Sequence, residues 1–133
     1  MISVYITSFN KDKYLCQAID SVLQQSLPAK EIIIVDDCST DKSREIINRY
    51  AIRFPQLLKP IYNKRNIGIT RTRNIALANC SGEIITYLDG DDFYYQYKLE
   101  SEYELLKSSP SVDCIYSNFN NINEKGEILG TFA

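Results

Sequence analysis

Short hydrophobic runs alternate along the chain with segments of helical spacing, and this alternation predicts the order of the elements. Runs rich in β-branched and aromatic residues predict strands at 2–7, 32–35, 57–62, 83–88 and 113–117. Apolar residues that recur every three or four positions predict helices at 13–27, 69–79 and 96–108, and a further helix that Ser39 or Asp41 can cap and that ends at Pro55. Residues 120–132 contain a turn signal and predict a hairpin.

Strands that alternate with helices favour right-handed βαβ units, so the sequence predicts an α/β fold with a mainly parallel sheet and helices on both faces. Pro60 predicts an edge or irregular position for the third strand. Asn10 or Asp12 is expected to cap the first helix. The fourth strand is a continuous apolar run, which is typical of a strand buried on both faces.

The end of this fourth strand carries three carboxylates within four residues. Asp89, Gly90, Asp91 and Asp92 follow the apolar run directly. Because the carboxylates repel one another unless positive charge lies among them, we expect a divalent cation there. Ligands bind beyond the carboxyl ends of strands in open α/β sheets, and Gly90 allows a close backbone approach. The segment therefore predicts a metal-assisted nucleotide site.

Other predicted strand ends at the same edge carry complementary groups, each of which also has a structural interpretation. The first strand ends in Thr7, Ser8 and Phe9, whose ring can pack against a base or simply against the core. Asp36 and Asp37 follow the second strand and can bind a base or cap the next helix. The segment after the third strand supplies the cations Lys64, Arg65, Arg71 and Arg73. Arg71 and Arg73 point to different sides of a helix, so one of the two is expected to be a solvated surface charge.

Bulk composition is that of an ordinary globular protein, and it excludes several classes of function. A length of 133 residues predicts a single domain over 1–133. The net charge of −2 argues against a nucleic-acid partner. Four scattered cysteines and no histidine argue against zinc and favour reduced thiols. No transmembrane stretch or signal peptide is present in the sequence, so we expect a cytoplasmic protein, or one at the inner face of the membrane if parts outside this chain anchor it.

Taken in order, the motifs resemble those of the family 2 inverting glycosyltransferases with a GT-A (Rossmann-like) fold. The similarity covers about residues 2–118. Its motifs are, in chain order, Val4-Tyr5-Ile6-Thr7-Ser8-Phe9-Asn10, Ser21-Val22-Leu23-Gln24-Gln25, Glu31-Ile32-Ile33-Ile34-Val35-Asp36-Asp37, Ser39-Thr40-Asp41, Asn66-Ile67-Gly68, Arg73-Asn74, Gly82-Glu83 and the DXD motif Asp89-Gly90-Asp91.

This resemblance implies a role for several residues. Thr7, Phe9 and Asp37 would hold the nucleotide base, and Arg73 would contact base or diphosphate. Asp89 would reach the ribose. It also implies that Asp91 ligates Mn²⁺ or Mg²⁺, that the donor is a nucleotide sugar, most often a UDP-sugar, and that a saccharide or lipid-linked acceptor is extended in polysaccharide or glycoconjugate synthesis.

The sequence departs from the family pattern in three ways. Phe9 replaces a tyrosine and Cys38 replaces a glycine. The family's acidic general base lies well downstream of the DXD motif, and neither Asp113 nor Glu124 suits that role. We therefore expect a chain truncated at its C-terminus that holds the donor-binding half, with the base beyond Ala133. The alternatives are a non-catalytic nucleotide-binding module and a phosphohydrolase that uses Asp-x-Asp as nucleophile and acid–base pair.

Overall fold

The computed structural model describes residues 1–132, and within this range the chain forms six strands and four helices. The strands are β1 (Ile2–Ser8), β2 (Glu31–Asp36), β3 (Leu58–Tyr62), β4 (Ile84–Asp89), β5 (Phe119–Ile122) and β6 (Ile128–Phe132). The helices are α1 (Leu15–Leu23), α2 (Ser43–Arg53), α3 (Ile69–Asn79) and α4 (Lys98–Ser108). The chain divides into two compact units, one up to Glu100 and one from Ser101.

The first unit is built on a four-stranded parallel sheet in the order β3-β2-β1-β4. Each pair of consecutive strands is joined through a helix, which confirms the predicted α/β fold. β3 lies at an edge, as Pro60 predicts. Thr7 pairs in register with Val35 on β2 and with Asp89 on β4. This register brings the carboxyl ends of the strands level with one another.

Helices cover both faces of the central strands. Helix α3 packs on one face, where Ala76 meets Tyr5, Ile33 and Val35. The alternating residues of β1 and β2 point to the other face, on the side of α1 and α2. The fully buried residues of that face are Val4, Ile6, Ile32, Ile34, Leu15, Ile19 and Ile47.

The prediction that the fourth strand is buried on both faces is wrong. β4 is an edge strand, and its residues alternate between more and less exposed. Ile85 is 41% exposed and Tyr87 is 55% exposed, whereas Leu88 is buried. The reason is that α3 packs over β1 and β2 and leaves the same face of β4 partly open.

The predicted caps of the first helix are also wrong. Helix α1 has Tyr14 at its N-cap, with no side-chain hydrogen bond there. Asn10 instead adopts a left-handed backbone with a φ of 53° and accepts the N–H of Thr40 on its side-chain oxygen. Asp12 accepts the N–H of Lys42. Both side chains therefore hold the loop after β2 against the loop after β1.

In the second unit, the hairpin prediction is confirmed and the strand prediction is wrong. β5 and β6 pair antiparallel, and Asn123 closes the turn by accepting the N–H groups of Lys125 and Glu127. Residues 113–117 form no strand; most of them are exposed, and none takes part in a β ladder within residues 1–132. An apolar run without a partner to pair with does not become a strand.

A membrane-spanning helix is not found anywhere in the part of the chain that the structure describes. The four cysteines are free.

Candidate nucleotide site

The carboxyl ends of β1, β2 and β4 meet at one edge of the sheet and are joined by hydrogen bonds. The hydroxyl of Thr7 donates to Oδ1 of Asp89 at 2.9 Å. The N–H of Gly90 donates to the Thr7 carbonyl at 2.9 Å, and that of Asp37 donates to the Ser8 carbonyl at 2.8 Å. The three strand ends therefore meet at one edge of the sheet, as the sequence predicts.

Gly90 is required at this edge because the chain approaches β1 closely. A Cβ atom added at Gly90 would lie 2.9 Å from the Thr7 carbonyl oxygen and 3.4 Å from Cδ1 of Leu15. Side-chain Cβ atoms essentially never come this close to a backbone oxygen. The glycine thus lets Asp89 and Asp91 stand on either side of a tight backbone contact.

Arg73 is bound to Asp89. Its Nη2 atom lies 3.0 Å and 2.9 Å from the two carboxylate oxygens of Asp89. Its guanidinium also lies over the ring of Tyr87, 5.1 Å from the centroid. The hydrogen bond to Asp89 raises the pKa of Arg73. Arg71 is exposed, so Arg73 is the arginine of the two that faces the candidate site.

Asp91 is paired with a lysine that the sequence analysis missed. Nζ of Lys11 lies 2.5 Å from Oδ2 of Asp91. Lys11 lies in the loop after β1, so its position near the edge could have been inferred from the predicted strand alone. Asp92 adds a further negative charge to the cluster. Its pKa is raised, first by burial and then by the neighbouring carboxylates of Asp91 and Asp89.

The acidic cluster fits a divalent cation that is shared with a ligand. Within residues 1–132 no group of three or more acidic, cysteine or histidine side chains is arranged to hold a metal by itself. Mg²⁺ is usually bound by one or two carboxylates together with substrate phosphates, and hard carboxylate oxygens suit it. Asp91 offers such a carboxylate, and burial together with the like charges of Asp91 and Asp89 raises the pKa of the neighbouring Asp92.

Asp37 and Asp36 both have structural contacts. The carboxylate of Asp37 accepts hydrogen bonds from Asn63 and from the N–H groups of Ile67 and Gly68. Burial alone would raise the pKa of Asp37, but these bonds lower it overall. Asp37 thereby holds the loop that leads into α3. Asp36 is fully buried and accepts bonds from Ser39 and Arg44.

Two buried polar atoms at this edge lack a partner. Across residues 1–132, the buried side-chain nitrogen and oxygen atoms without a hydrogen bond are Oγ of Ser8 and Nε of Arg73. Such atoms are rare in folded proteins, and each calls for an explanation. Phe9 follows directly after Ser8, and its ring is 44% exposed. Unused hydrogen-bonding capacity and an open aromatic ring therefore occur together at the carboxyl edge of the sheet.

Comparison with known proteins places this geometry in context. The sequence model of the family described as glycosyl transferase family 2 matches residues 3–130. An uncharacterized glycosyltransferase of Nostoc sp. is 38% identical over 86% of this chain and 35% of its own length. The putative teichuronic acid biosynthesis glycosyltransferase TuaG of Bacillus subtilis is 38% identical over 80% of this chain and 42% of its own length.

A solved structure resembles the chain as well. Residues 1–349 of TarS from S. aureus, crystallised in complex with UDP-GlcNAc, match with a TM-score of 0.73 and 31% identity. The match covers 80% of this chain and 31% of the TarS chain. The chain thus spans about a third to two fifths of the length of the two curated relatives and about a third of this structure.

Proposed function

The chain belongs to glycosyl transferase family 2, and from this premise we propose that it binds a nucleoside diphosphate sugar, most favourably a UDP-sugar, at the carboxyl edge of its parallel sheet. The observation that carries the proposal is the pair of orphaned buried atoms, Oγ of Ser8 and Nε of Arg73, beside the joined ends of β1 and β4. Because the chain spans only part of its relatives, the transferase activity of the whole protein is part of this proposal.

The base is assigned to the ends of β1 and β2. The exposed ring of Phe9 offers a stacking surface, and it replaces a tyrosine of the family without loss of that surface. Thr7 and Asp37 supply polar contacts. Asp37 also fixes the loop before α3, so its loss would disturb the helix that carries Arg73.

The ribose and diphosphate are assigned to the end of β4. Asp89 Oδ1 accepts from both Thr7 and Arg73, whereas Oδ2 accepts from Arg73 alone. A carboxylate has about four acceptor positions, so Oδ2 keeps capacity for a ribose hydroxyl. Nε of Arg73 and Nζ of Lys11 are the cations nearest to where the phosphates would lie.

Asp91 would hold the divalent ion, Mn²⁺ or Mg²⁺, together with the two phosphates. When bound, this ion supplies positive charge to the diphosphate and so makes it a better leaving group. Lys11 holds Asp91 by an ion pair in the free chain and can turn to a phosphate oxygen once the ligand arrives. Arg73 and Lys11 would then stabilise the charge that develops on the leaving diphosphate.

The reaction proposed for the whole protein is a direct displacement with inversion. An acceptor hydroxyl of a saccharide or lipid-linked glycan attacks the anomeric carbon, and the bond to the nucleoside diphosphate breaks. The general base is assigned to none of the described residues; Glu124, for example, lies in the turn between β5 and β6. The similarity to TarS, which was crystallised with UDP-GlcNAc, supports a UDP-sugar donor, and the similarity to TuaG, a putative teichuronic acid biosynthesis glycosyltransferase, supports a role in polysaccharide synthesis.

The phosphohydrolase alternative is disfavoured by the contacts of its nucleophile. Asp89 would have to attack phosphorus, but both of its oxygens accept hydrogen bonds from Arg73, and Thr7 binds one of them. An oxygen engaged in charge-assisted hydrogen bonds is a poor nucleophile. The family membership points the same way.

Isothermal titration of the chain with UDP, in the presence and absence of Mn²⁺, tests the proposal. We expect binding that Mn²⁺ strengthens at least about tenfold, because Asp91 and the diphosphate would hold the metal together. Asp91→Asn should abolish the Mn²⁺ effect, and UDP should bind more tightly than GDP or ADP. Asp113→Asn is the matched control, since Asp113 is an exposed aspartate of the second unit. No UDP binding, or the same Mn²⁺ effect in Asp91→Asn, would contradict the proposal.

A further inference from the structure

A second cavity lies in the first unit between α1 and the segment that follows the acidic cluster. Its volume is about 800 Å³, within the range of ~300–1,000 Å³ that small-molecule sites occupy. One side is lined by residues of α1 and its C-cap that lie one or two helical turns apart, and the other side by three residues of the segment after the acidic cluster. The lining residues are Gln17, Asp20, Ser21, Gln24, Phe93, Tyr94 and Gln96.

Three glutamines line this cavity, and each of them is exposed. The side chains of Gln17, Gln24 and Gln96 make no hydrogen bond to any atom of residues 1–132. Each amide carries two N–H donors and a carbonyl acceptor, so the cavity presents several donors and acceptors together. By contrast Gln25, which neighbours the cavity, is buried and bonded through both ends of its amide to the backbone of Tyr95 and Leu99.

The walls of the cavity are held in place before any ligand arrives. The hydroxyl of Ser21 accepts the N–H of Tyr94 at 3.0 Å and donates to the Ala18 carbonyl. The carbonyl of Gln96 accepts the N–H of Ser26 at 3.0 Å. Together with the two bonds of Gln25, these contacts fix the backbone of the 93–96 segment on α1 before a ligand binds.

The charge and the residue types of the cavity lining indicate which class of ligand it can bind. Lysine and arginine are absent from the cavity lining, and its one acid, Asp20, accepts a hydrogen bond from the Tyr50 hydroxyl at 2.7 Å. Neutral amides beside aromatic rings match a neutral polyhydroxylated ring, whose hydroxyls pair with amides and whose C–H face packs on an aromatic side chain. The lining itself offers no cation to a phosphate or carboxylate group; Lys98, outside the lining, lies over the ring of Tyr94 with Nζ 4.6 Å from its centroid.

We propose that this cavity is a second carbohydrate site, which binds a neutral oligosaccharide through the three glutamine amides and the ring of Phe93. Phe93 follows Asp91 and Asp92 directly in the chain, so a glycan held here lies on the segment that leaves the nucleotide site. The proposal goes beyond donor binding and does not depend on it, since it uses none of the residues assigned to the nucleotide.

The test is an NMR titration of the ¹⁵N-labelled chain with cellotetraose and with chitotetraose, and with tetragalacturonate as the anionic counterpart. Side-chain amide signals report directly on each glutamine. We expect saturable shifts of the Gln17, Gln24 and Gln96 amide signals with at least one neutral tetrasaccharide. Gln24→Ala and Gln96→Ala should each weaken that binding about fivefold, the effect of one neutral hydrogen bond.

Gln56→Ala is the matched control, because Gln56 is an exposed glutamine outside the cavity lining and should leave binding unchanged. The absence of a saturable shift with either neutral probe would overturn the proposal, as would equal affinity for tetragalacturonate or undiminished binding in Gln24→Ala. Titration of the same sample with UDP and Mn²⁺ tests the nucleotide site separately. The result for the glycan is therefore independent of whether the nucleotide binds.

Discussion

Glu31 at the amino edge of the parallel sheet and the acidic cluster after β4 at the carboxyl edge differ in their burial and in their partners. At the amino edge, the carboxylate of Glu31 is buried and accepts the hydroxyl of Ser3 at 2.6 Å and the N–H of Ser81 at 2.6 Å. Nζ of Lys59 lies 2.6 Å from Oε2 of Glu31 and forms an ion pair with it. Glu31 thus joins β1, β2, β3 and the start of β4. At the carboxyl edge, Asp89, Asp91 and Asp92 stand partly exposed.

The pKa directions record the same difference. Burial alone would raise the pKa of Glu31, but Lys59, Ser3 and Ser81 lower it to about 2. Burial and like charges raise the pKa of Asp92. A carboxylate with a full set of partners is part of the framework, whereas the acidic cluster after β4 is the place where we propose that a ligand binds.

The largest expected effect follows from removing the charge at the amino edge. Because the pKa of Glu31 is lowered from 4.5 to about 2, its ionised form stabilises the fold at pH values above 4.5. We expect Glu31→Gln to lower the free energy of unfolding by about 3 kcal/mol at pH 7. The difference from the parent chain should shrink as the pH falls from 4.5 towards 2. Urea unfolding at a series of pH values measures it.

Glu83→Gln is the control for this prediction, since Glu83 pairs with the N-terminal amine on the exposed surface. We expect no measurable change in stability at pH 7. A Glu31→Gln effect that is small, or that does not vary with pH, would mean that the amino edge is not held by this carboxylate.

The second prediction concerns the close packing beside Glu31. A Cβ atom at Gly82 would lie 2.6 Å from the backbone nitrogen of Ser3 and 2.9 Å from the Met1 carbonyl oxygen. We expect Gly82→Ala to destabilise the chain by about 2 kcal/mol, because β1 must shift to accept the methyl group. In Gly130→Ala the nearest atom would lie 3.6 Å away, so the same change should be nearly neutral. Equal urea midpoints for the two variants would contradict the packing argument.

The sequence predicts the framework well because periodicity reports burial directly. Hydrophobic runs such as Ile32–Val35, whose side chains lie in the core on both faces of the sheet, predict β1, β2 and β3. Helical spacing of apolar residues predicts α3. β4 has the same kind of run and yet is half open, since its exposure depends on where α3 packs and not on its own residues. The strand predicted at 113–117 does not form for a related reason, because a strand needs a neighbouring strand to pair with.

The candidate site is predictable in its acidic cluster and in Arg73, but not in how their charges pair. Residue type and position relative to a strand end are visible in the sequence, and they identify Thr7, Asp89 and Asp91 as neighbours. The ion pair of Lys11 with Asp91 joins residues 80 positions apart and depends on the loop geometry. Likewise nothing in the spacing of Asp37 reveals that its carboxylate holds the loop before α3.

A third prediction tests the carboxyl edge through Arg73. We expect Arg73→Ala to weaken binding of UDP with Mn²⁺ about tenfold, because a charge-assisted donor to the diphosphate is lost. Arg73→Lys keeps the charge without the planar fork and should weaken binding about threefold. Arg71→Ala, a change at an exposed arginine of the same helix, should have no effect on the titration. Identical affinities for Arg73→Ala and Arg71→Ala would remove Arg73 from the site.

The smallest expected effect has the opposite sign to that of Glu31→Gln. Because the pKa of Asp92 is raised in the folded chain, its ionised form opposes folding at pH values above the ordinary 3.8. Asp92→Asn should therefore raise the free energy of unfolding at pH 7, by about 0.5 kcal/mol because solvent screens this exposed side chain. The gain should vanish at pH values below 3.8.

Urea unfolding at pH 7 and pH 3.5 measures this gain, and Asp113→Asn serves as the exposed control. Adding Mn²⁺ and UDP to the parent chain should reduce the advantage of Asp92→Asn, since a bound cation relieves the same repulsion that the substitution removes. A loss of stability in Asp92→Asn would mean that its carboxylate is a structural acceptor like that of Glu31. The two edges of the sheet would then differ in exposure alone, and the cluster would no longer indicate a site for a cation.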